Sequence, residues 1–160
     1  HDQLLGIIRG LNLVAERFGM RLITSLHPRT RSRLGQTGTA ALHPLIELHE
    51  PFGFFDFVKL EKNAACVLTD SGTVQEECCL FRVPAVTVRT TTERPETVDC
   101  GSNIVSGVSP ESILRAAEIQ LYSNRIWNFP EGYTEPNVSD KVVRFLHGYV
   151  PGRRSQTSGC

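Results

Sequence analysis

The chain has 160 residues, and its 17 basic side chains (Lys and Arg) balance 17 acidic ones (Asp and Glu). This length suits one domain with a buried core, and a net charge of zero gives no electrostatic reason to expect nucleic acid or an acidic membrane surface as a partner. Because no apolar run approaches the ~20 residues of a membrane-spanning helix and no signal-peptide pattern is present, we expect a soluble, cytoplasmic protein.

Helices and strands are predicted to alternate along the chain, with short connections. The predicted helices cover residues 3–18, 54–62, 73–81, 111–122 and 137–146. The predicted strands cover residues 21–27, 45–49, 65–69, 83–89 and 104–105. This alternation predicts an α/β fold with a Rossmann-like, doubly wound parallel sheet over residues 1–150, followed by a disordered polar tail at 151–160.

The predicted strands end in residues that suit ligand binding. The residues that follow four of the strands are His27, Pro51, Ser71 and Arg89. In a parallel sheet the carboxyl ends of the strands share an edge, and ligands bind there, so we expect these residues to gather on one rim. The arginine-rich loops at 27–33 and 89–96 are either anion contacts or solvated loops.

The stretch Thr-Asp-Ser-Gly-Thr-Val-Gln-Glu-Glu at 69–77 is the most informative part of the sequence. A buried strand is predicted to end in a turn and pass into a helix, whose first N–H groups and dipole favour a bound anion. Ser71 can cap this helix, and Gly72 allows a ligand to approach the backbone. Glu76 or Glu77, about one turn further on, can accept hydrogen bonds from sugar hydroxyl groups. The pattern predicts a site for a phosphate that carries a sugar, although an ordinary capped helix has the same pattern.

The sequence lacks several common cofactor and catalytic motifs. It contains no GxGxxG, Walker A or G-x-S-x-G pattern, which argues against nicotinamide cofactors, P-loop chemistry and a nucleophile elbow. Ser71 has no sequence-local base that would make it a nucleophile. The five cysteines match no zinc or thioredoxin spacing, so we expect reduced thiols. Phe54, Phe55 and Phe57 are interpreted as core residues, with a base pocket as the alternative for one of them.

Two neighbouring segments resemble a known family. TDSGTVQEE (69–77) and VPAVTVRTTTERPETVDCGSNIVSG (83–107) resemble the C-terminal domain of the non-hydrolysing UDP-N-acetylglucosamine 2-epimerases. Those enzymes have the GT-B fold, in which two Rossmann-like domains close over a UDP-sugar. Three further segments are similar to the capsule and O-antigen branch, which includes UDP-N-acetyl-L-fucosamine synthases: HPRTRSRL (27–34), PFGFFDFVKLEKNA (51–64) and EPNVSDKVVRFLHGY (135–149).

The resemblance implies a UDP site made of six residues. They are Phe57, Ser71, Gly72, Thr73, Glu77 and Arg94. By this resemblance, Ser71 and Gly72 bind the diphosphate, and Arg94 belongs to the nucleotide site. Glu77 holds the ribose hydroxyl groups, and Phe57 lines the uracil pocket.

The resemblance also concerns regulation and fine specificity. His27, together with Arg29, matches a histidine that in some members helps to bind a second, regulatory UDP-sugar. Thr73 stands where the family usually has a second glycine, Thr90 where an aspartate is frequent, and Phe52 where some members have a glutamine near the base pocket. We expect these departures to alter the approach of the ligand to the backbone and the fine specificity.

The reaction implied by the resemblance inverts C2 of a UDP-HexNAc, by elimination of UDP across C1–C2 and its re-addition, for the synthesis of surface polysaccharide precursors. No metal, nicotinamide or other cofactor is implied, and the full-length enzyme is expected to be a homodimer. The family's catalytic carboxylates lie in an N-terminal domain, and the chain opens at His1 without the HREEN-like segment of the family. We therefore expect an N-terminal truncation, an unfilled central position in the sheet, and no activity for residues 1–160 alone.

Three alternatives are open at this stage. The protein is a UDP-N-acetyl-L-fucosamine-forming C2 epimerase, a non-catalytic UDP-sugar-binding module, or a GT-B glycosyltransferase with the same nucleotide site. Solvent deuterium at C2 of the sugar would distinguish an epimerase from a transferase, which instead delivers the sugar to an acceptor.

Overall fold

The computed structural model of the chain describes residues 2–26, 30, 32 and 42–148. His27, Arg29 and the predicted tail at 151–160 lie outside these residues. The chain divides into two compact units, His1–Pro130 and Glu131–Cys160. The helices of the described part are too short or too polar to span a lipid bilayer.

The helices and strands follow the predicted alternation. In the first unit they are α1 (Asp2–Phe18), β1 (Leu22–Ser25), β2 (Ile46–His49), α2 (Phe54–Lys62), β3 (Val67–Thr69), α3 (Gly72–Phe81), β4 (Ala85–Thr87), α4 (Pro95–Asp99), β5 (Asn103–Val105) and α5 (Pro110–Tyr122). The second unit contains α6 (Val138–Gly148). Most strands are shorter than predicted. Helix α4 was not predicted, although proline near the first position is typical of a helix start.

All strand pairs are parallel, which confirms the predicted α/β fold class. Strand β3 pairs with β4 from Val67↔Ala85 onward, and β4 pairs with β5 from Ala85↔Asn103 onward. The strands do not form one continuous sheet, however. Within the described part of the chain they form a two-stranded sheet, β1-β2, and a three-stranded sheet, β3-β4-β5, because no ladder of backbone hydrogen bonds joins them.

Helices cover both faces of the three-stranded sheet. Val86 packs in a cluster with Val14 of α1 and Ile113 of α5. The neighbouring Ala85 packs in a second cluster with Val74 of α3. Because successive strand residues point to opposite faces, one strand serves both clusters, and the sheet is doubly wound as predicted. Burial of Val86 and Ile113, both 0% exposed, contributes about 1.5–3 kcal/mol for each side chain.

The interpretation of Phe54 and Phe55 as core residues is wrong. Their side chains are 69% and 85% exposed, and their rings meet edge to face at 5.6 Å. Both lie at the start of α2, whereas the contact with the cluster around Val74 of α3 is made by Phe57 and by Ala64, which follows the end of α2. Only Phe57 of the three is partly buried, because it alone faces the second cluster.

Helix α6 of the second unit carries one apolar face. Its large apolar side chains are exposed: Val138, Val142, Val143, Phe145 and Leu146. An ion pair joins Lys141 to Glu135 within the same unit. The charged and polar residues of α6 thus lie on the side opposite a continuous apolar stripe.

Candidate functional site

Helix α3 begins directly after β3, as predicted. Ser71 is its N-cap residue and has extended backbone angles (φ −95°, ψ 130°). The Ser71 N–H donates to Thr69 Oγ1 at 3.0 Å, which fixes the turn between strand and helix. The Ser71 side chain makes no capping hydrogen bond to the helix. The first N–H groups of α3 are therefore directed, with the positive end of the dipole, at the space in front of the helix.

Pairing of β3 with β4 brings the loop after β4 to the start of α3. Thr69 pairs with Thr87, so the two strands end at the same edge of the sheet. The Arg94 guanidinium lies beside Gly72: a Cβ atom built on this glycine would be 3.8 Å from Arg94 Cζ and 3.9 Å from Nη2. The Arg94 guanidinium thus lies next to the N-terminus of α3, and a methyl group on Gly72 would occupy the space between the guanidinium and the helix backbone.

Contacts with Glu76 and Glu93 hold Arg94 in this position. Its Nε donates to Glu76 Oε1 at 2.5 Å, and its Nη1 donates to the backbone oxygen of Glu93 at 3.0 Å. The side chains of Arg94 and Glu76 are 35% and 34% exposed, so the pair lies at the surface and can meet a ligand.

Arg89 forms a second ion pair on the same rim. Its two terminal nitrogens donate to the two carboxylate oxygens of Glu93, both at 3.0 Å. This contact lowers the pKa of Glu93. Arg89 Nη1 also lies 3.4 Å from the backbone oxygen of Asp70, in the turn before α3. The loop after β4 is therefore tied to the β3–α3 turn and is not merely solvated.

Gln75 connects the two sides of the site, a role that no pattern in the sequence indicated. Its side chain is 0% exposed. Gln75 Nε2 donates to the backbone oxygen of Ser71 at 3.2 Å, and its Oε1 accepts from Thr92 Oγ1 at 2.6 Å. Thr92 Oγ1 accepts in turn from the Arg94 N–H at 3.0 Å. One buried carboxamide therefore fixes the distance between the start of α3 and the Arg94 loop.

A buried polar network continues from Gln75 to β5. Asn103 Nδ2 donates to Gln75 Oε1 at 3.2 Å and to Thr97 Oγ1 at 3.1 Å, while Thr87 Oγ1 donates to Asn103 Oδ1 at 2.9 Å. Thr97 Oγ1 donates to the Arg94 backbone oxygen at 2.7 Å. Buried polar groups that are paired in this way make a rigid support, since any movement would leave one unpaired.

Phe57 and Glu77 lie beside this site on the α2–α3 contact. Phe57 packs against the cluster that contains Val74, which belongs to the first turn of α3. Glu77 is half-buried and lies three residues after Val74, on the next turn. Glu77 thus belongs to α3, and Phe57 of α2 packs against the same helix.

Other candidate features lie apart from this site or outside the described residues. His27 and Arg29, the predicted regulatory anion contacts, are not among the described residues. Within the described part of the chain, no group of three or more His, Cys, Asp or Glu side chains is placed to hold a metal ion. A shallow pocket of about 490 Å³ lies at the β5 edge, between residues such as Val98 and Ile119, and does not include Ser71 or Arg94.

Comparison with known proteins identifies the family. The family model described as UDP-N-acetylglucosamine 2-epimerase matches residues 1–147. A UDP-N-acetylglucosamine 2-epimerase of Methanococcus maripaludis is 43% identical over 145 residues, which is 89% of this chain and 39% of the relative. A UDP-2,3-diacetamido-2,3-dideoxy-D-glucuronate 2-epimerase of Pseudomonas aeruginosa is 34% identical over 144 residues, 90% of this chain and 39% of the relative.

Solved structures show the same fold. The chain is similar to the crystal structure of the Methanocaldococcus jannaschii UDP-GlcNAc 2-epimerase in complex with UDP-GlcNAc and UDP, with 38% identity and a TM-score of 0.83. The match covers 93% of this chain and 42% of the M. jannaschii chain. The chain therefore spans about 40% of the length of the curated relatives that it matches.

Proposed function

The chain belongs to the UDP-N-acetylglucosamine 2-epimerase family, and from this premise we propose that the site at the start of α3 binds the UDP part of a UDP-HexNAc. The observation that carries the proposal is the Arg94 guanidinium beside Gly72, in front of a helix whose N-cap side chain is not bonded to it. A diphosphate at this point meets backbone N–H groups, the helix dipole and a cation together.

The proposed UDP-binding residues are Phe57, Ser71, Gly72, Thr73, Glu77 and Arg94. Glu77 accepts hydrogen bonds from the ribose hydroxyl groups, a role favoured by the engagement of Glu76 with Arg94. Phe57 borders the uracil, a position favoured by its partial burial on the contact between α2 and α3. The regulatory role of His27 and Arg29 toward a second UDP-sugar is part of the proposal and rests on the sequence alone.

We propose that the whole protein inverts C2 of the sugar by eliminating UDP across C1–C2 and adding it back. The role of this domain in the reaction is to keep the eliminated UDP bound until it is added back to the sugar. The α3 N-terminus and Arg94 stabilise the negative charge that develops on the diphosphate as the C1–O bond breaks. The catalytic carboxylates are proposed to lie outside these 160 residues, so the chain alone is not expected to catalyse the reaction.

The finer substrate and context are proposed from the sequence. Segments 51–64 and 135–149 support a UDP-HexNAc epimerase of the capsule and O-antigen branch, with a UDP-N-acetyl-L-fucosamine-forming enzyme as the alternative. A family relative named for a diacetamido-dideoxy-glucuronate sugar supports the view that the sugar differs between members. We further propose a cytoplasmic enzyme that is a homodimer at full length and uses no metal or nicotinamide cofactor.

Calorimetric titration of the 160-residue chain with UDP tests the proposed site. We expect Arg94→Met to weaken UDP binding by about tenfold or more, because a charge-assisted contact to the diphosphate is lost. Arg17→Met is the matched control, since Arg17 forms a comparable surface ion pair with Glu118 at 3.0 Å on helices away from the start of α3. Equal affinities of the two variants would reject the site.

Reaction in deuterated water tests the activity of the whole protein. Deuterium at C2 of the UDP-HexNAc is the expected result for an epimerase, because re-addition to the eliminated intermediate takes its proton from a group that exchanges with solvent. UDP binding without deuterium exchange would instead indicate a binding module, and transfer of the sugar to an acceptor would indicate a glycosyltransferase.

A further inference from the structure

Glu61 is a carboxyl group buried at the contact between α2 and α3. The residue is only 3% exposed. Among the described residues, no hydrogen-bond donor reaches either of its carboxylate oxygens. An ionised carboxylate in such a place is costly, because it has lost water and gained no donor. Its neutral form, in contrast, carries an O–H group that can donate a hydrogen bond to a neighbouring acceptor.

The helix geometry directs Glu61 toward Glu77. Glu61 lies one turn after Phe57 and three residues before Ala64, and both of these pack against the cluster around Val74 of α3. Glu77 lies three residues after Val74, so it continues the same side of α3 by one turn. Glu61 and Glu77 therefore lie on the sides of α2 and α3 that pack together, with Glu61 buried and Glu77 half-exposed.

The charges around this pair support a neutral Glu61. Burial raises the pKa of Glu61 to about 7, together with the charge of Glu77 and a hydrogen bond shared with it. The Cys78 thiol of α3 is buried, and its pKa is raised by this burial and, to a smaller extent, by the charges of Glu61 and Glu77. The other charged residues of α2 are Asp56, Lys59 and Lys62. The Lys62 ammonium group lies over the Phe81 ring.

We propose that Glu61 is a positioning residue for Glu77: its neutral carboxyl group donates a hydrogen bond to the Glu77 carboxylate and directs the other Glu77 oxygen toward the sugar hydroxyl groups of a bound nucleotide. The inference rests on the proposed function, which makes Glu77 the ribose ligand. A hydrogen bond to an ionised acceptor is short and directional, so it holds the Glu77 side chain in one rotamer. When Glu61 loses its proton, the donor is replaced by a second negative charge, and Glu77 is no longer held.

Calorimetric titration of the 160-residue chain with UDP at several pH values from about 6 to 8.5 tests this inference. The variants are Glu61→Gln, which stays neutral and keeps a donor, and Glu61→Met, which has similar volume and no donor. Relative to Glu61→Gln, we expect the unmodified chain to bind UDP equally at about pH 6 and roughly 3- to 10-fold more weakly at about pH 8.5. Glu61→Met should bind more weakly than Glu61→Gln at every pH, by a similar factor.

A second ligand separates positioning from a structural effect. With 2′,3′-dideoxyuridine diphosphate, which lacks the ribose hydroxyl groups, all three proteins should bind with the same affinity at each pH. Titration of the UDP phosphate itself cancels in these comparisons, because it is common to all proteins.

The outcomes are distinguishable from those of the proposed function. An affinity ratio between the unmodified chain and Glu61→Gln that does not change with pH would overturn the inference while leaving the UDP site intact. A loss in Glu61→Met that is equally large for the dideoxy ligand would also overturn it. If the unmodified chain binds no UDP at all, the proposed function fails and the role toward ribose fails with it. Carbon-13 spectra of the glutamate carboxyl groups then still report whether Glu61 titrates near neutral pH.

Discussion

The carboxamide oxygen of the buried Gln75 accepts a hydrogen bond from Thr92 Oγ1 at 2.6 Å, across the contact between α3 and the loop after β4. The same Thr92 oxygen accepts from the Arg94 N–H at 3.0 Å, and the other end of the Gln75 side chain donates to the Ser71 backbone oxygen. The two parts of the proposed diphosphate site, a helix N-terminus and a cation, are thus positioned by one buried side chain.

Replacement of Gln75 is expected to loosen the site as well as the fold. Gln75→Met keeps the volume but leaves Thr92 and Asn103 without their acceptor, so we expect the free energy of unfolding to fall by about 2 kcal/mol in urea denaturation. Because the Arg94 loop is then no longer fixed to α3, UDP affinity should fall by roughly tenfold in calorimetry.

Gln120→Met is the matched control for this change. Gln120 is 2% exposed and donates to the backbone oxygens of Ala85 at 2.8 Å and Ser102 at 3.1 Å. The free energy of unfolding of Gln120→Met should fall by a comparable amount, about 1–3 kcal/mol. The UDP affinity of this variant should not change, because the partners of Gln120 lie at the opposite end of the strands. Similar losses of UDP affinity in both variants would mean that Gln75 acts only through general stability.

A methyl group at Gly72 is expected to raise the stability of the fold while it lowers the affinity for UDP. In Gly72→Ala the new Cβ lies 3.8 Å from Arg94 Cζ, an ordinary contact distance, so the fold accepts it. Alanine in a helix restricts the unfolded chain more than glycine does, and we expect the free energy of unfolding to rise by about 0.5 kcal/mol. The methyl group takes the space between Arg94 and the α3 backbone, and UDP affinity should fall.

Gly53→Ala provides the control for the Gly72 prediction. Gly53 precedes α2 with φ −63°, and an added Cβ there has no heavy atom within 4 Å. Its UDP affinity should not change. Unchanged UDP affinity in Gly72→Ala as well would place the diphosphate away from the start of α3.

The strand, the turn and the helix start of the candidate site were predictable from the sequence, because local chemistry decides their structure. An apolar run followed by Ser71-Gly72 predicts a strand, a turn and a helix start, and the rule that parallel strands end at one edge brings the loop after the next strand beside it. The partners within the site were not predictable. Arg89 pairs with Glu93 of its own loop, whereas Arg94 pairs with Glu76 of α3. That choice depends on the register between a helix and a loop, which leaves no local pattern.

Buried polar residues were also beyond the reach of sequence patterns. Gln75 follows Val74 in a helix where periodicity marks only apolar residues as core, and Asn103 opens a short strand. Each is stable inside because it finds partners from another element, which is a tertiary property. The same reason explains Phe54 and Phe55: their apolar character predicts burial, yet the contact between α2 and α3 does not extend to these two residues at the start of α2.

The reactivity of two thiols reports the integrity of both core clusters, because Cys66 packs against the first and Cys78 belongs to the second. Burial raises the pKa of Cys66 to about 12 and raises that of Cys78 still further. Since only the thiolate is alkylated, iodoacetamide at about pH 8 should leave both residues unmodified in the folded chain and modify them in urea, as read by site-resolved mass spectrometry. Labelling of Cys78 at the same rate in both states would indicate that α3 opens frequently.

The pH dependence of stability follows from the buried Glu61. Its pKa is about 7 in the folded chain, against 4.5 for an unperturbed glutamate. At a pH between 4.5 and about 7, folding is therefore coupled to the uptake of a proton by Glu61. The free energy of unfolding is unaffected by this group below about pH 4.5 and falls as the pH rises from there through about 7. Relative to the unmodified chain, we expect Glu61→Gln to gain stability on going from about pH 5 to about pH 8, by up to about 3 kcal/mol in urea denaturation.

Glu47→Gln tests the sign of this effect. Arg21 holds the pKa of Glu47 down to about 2, so the stability that this carboxylate contributes is present above the ordinary glutamate value and lost only as the pH falls toward 2. The effect of Glu47→Gln should therefore be the same at about pH 5.5 and about pH 8, whereas that of Glu61→Gln should differ. A Glu61→Gln chain whose stability follows that of the unmodified chain in parallel over this range would show that Glu61 is already ionised in its buried position, with a donor that compensates its charge.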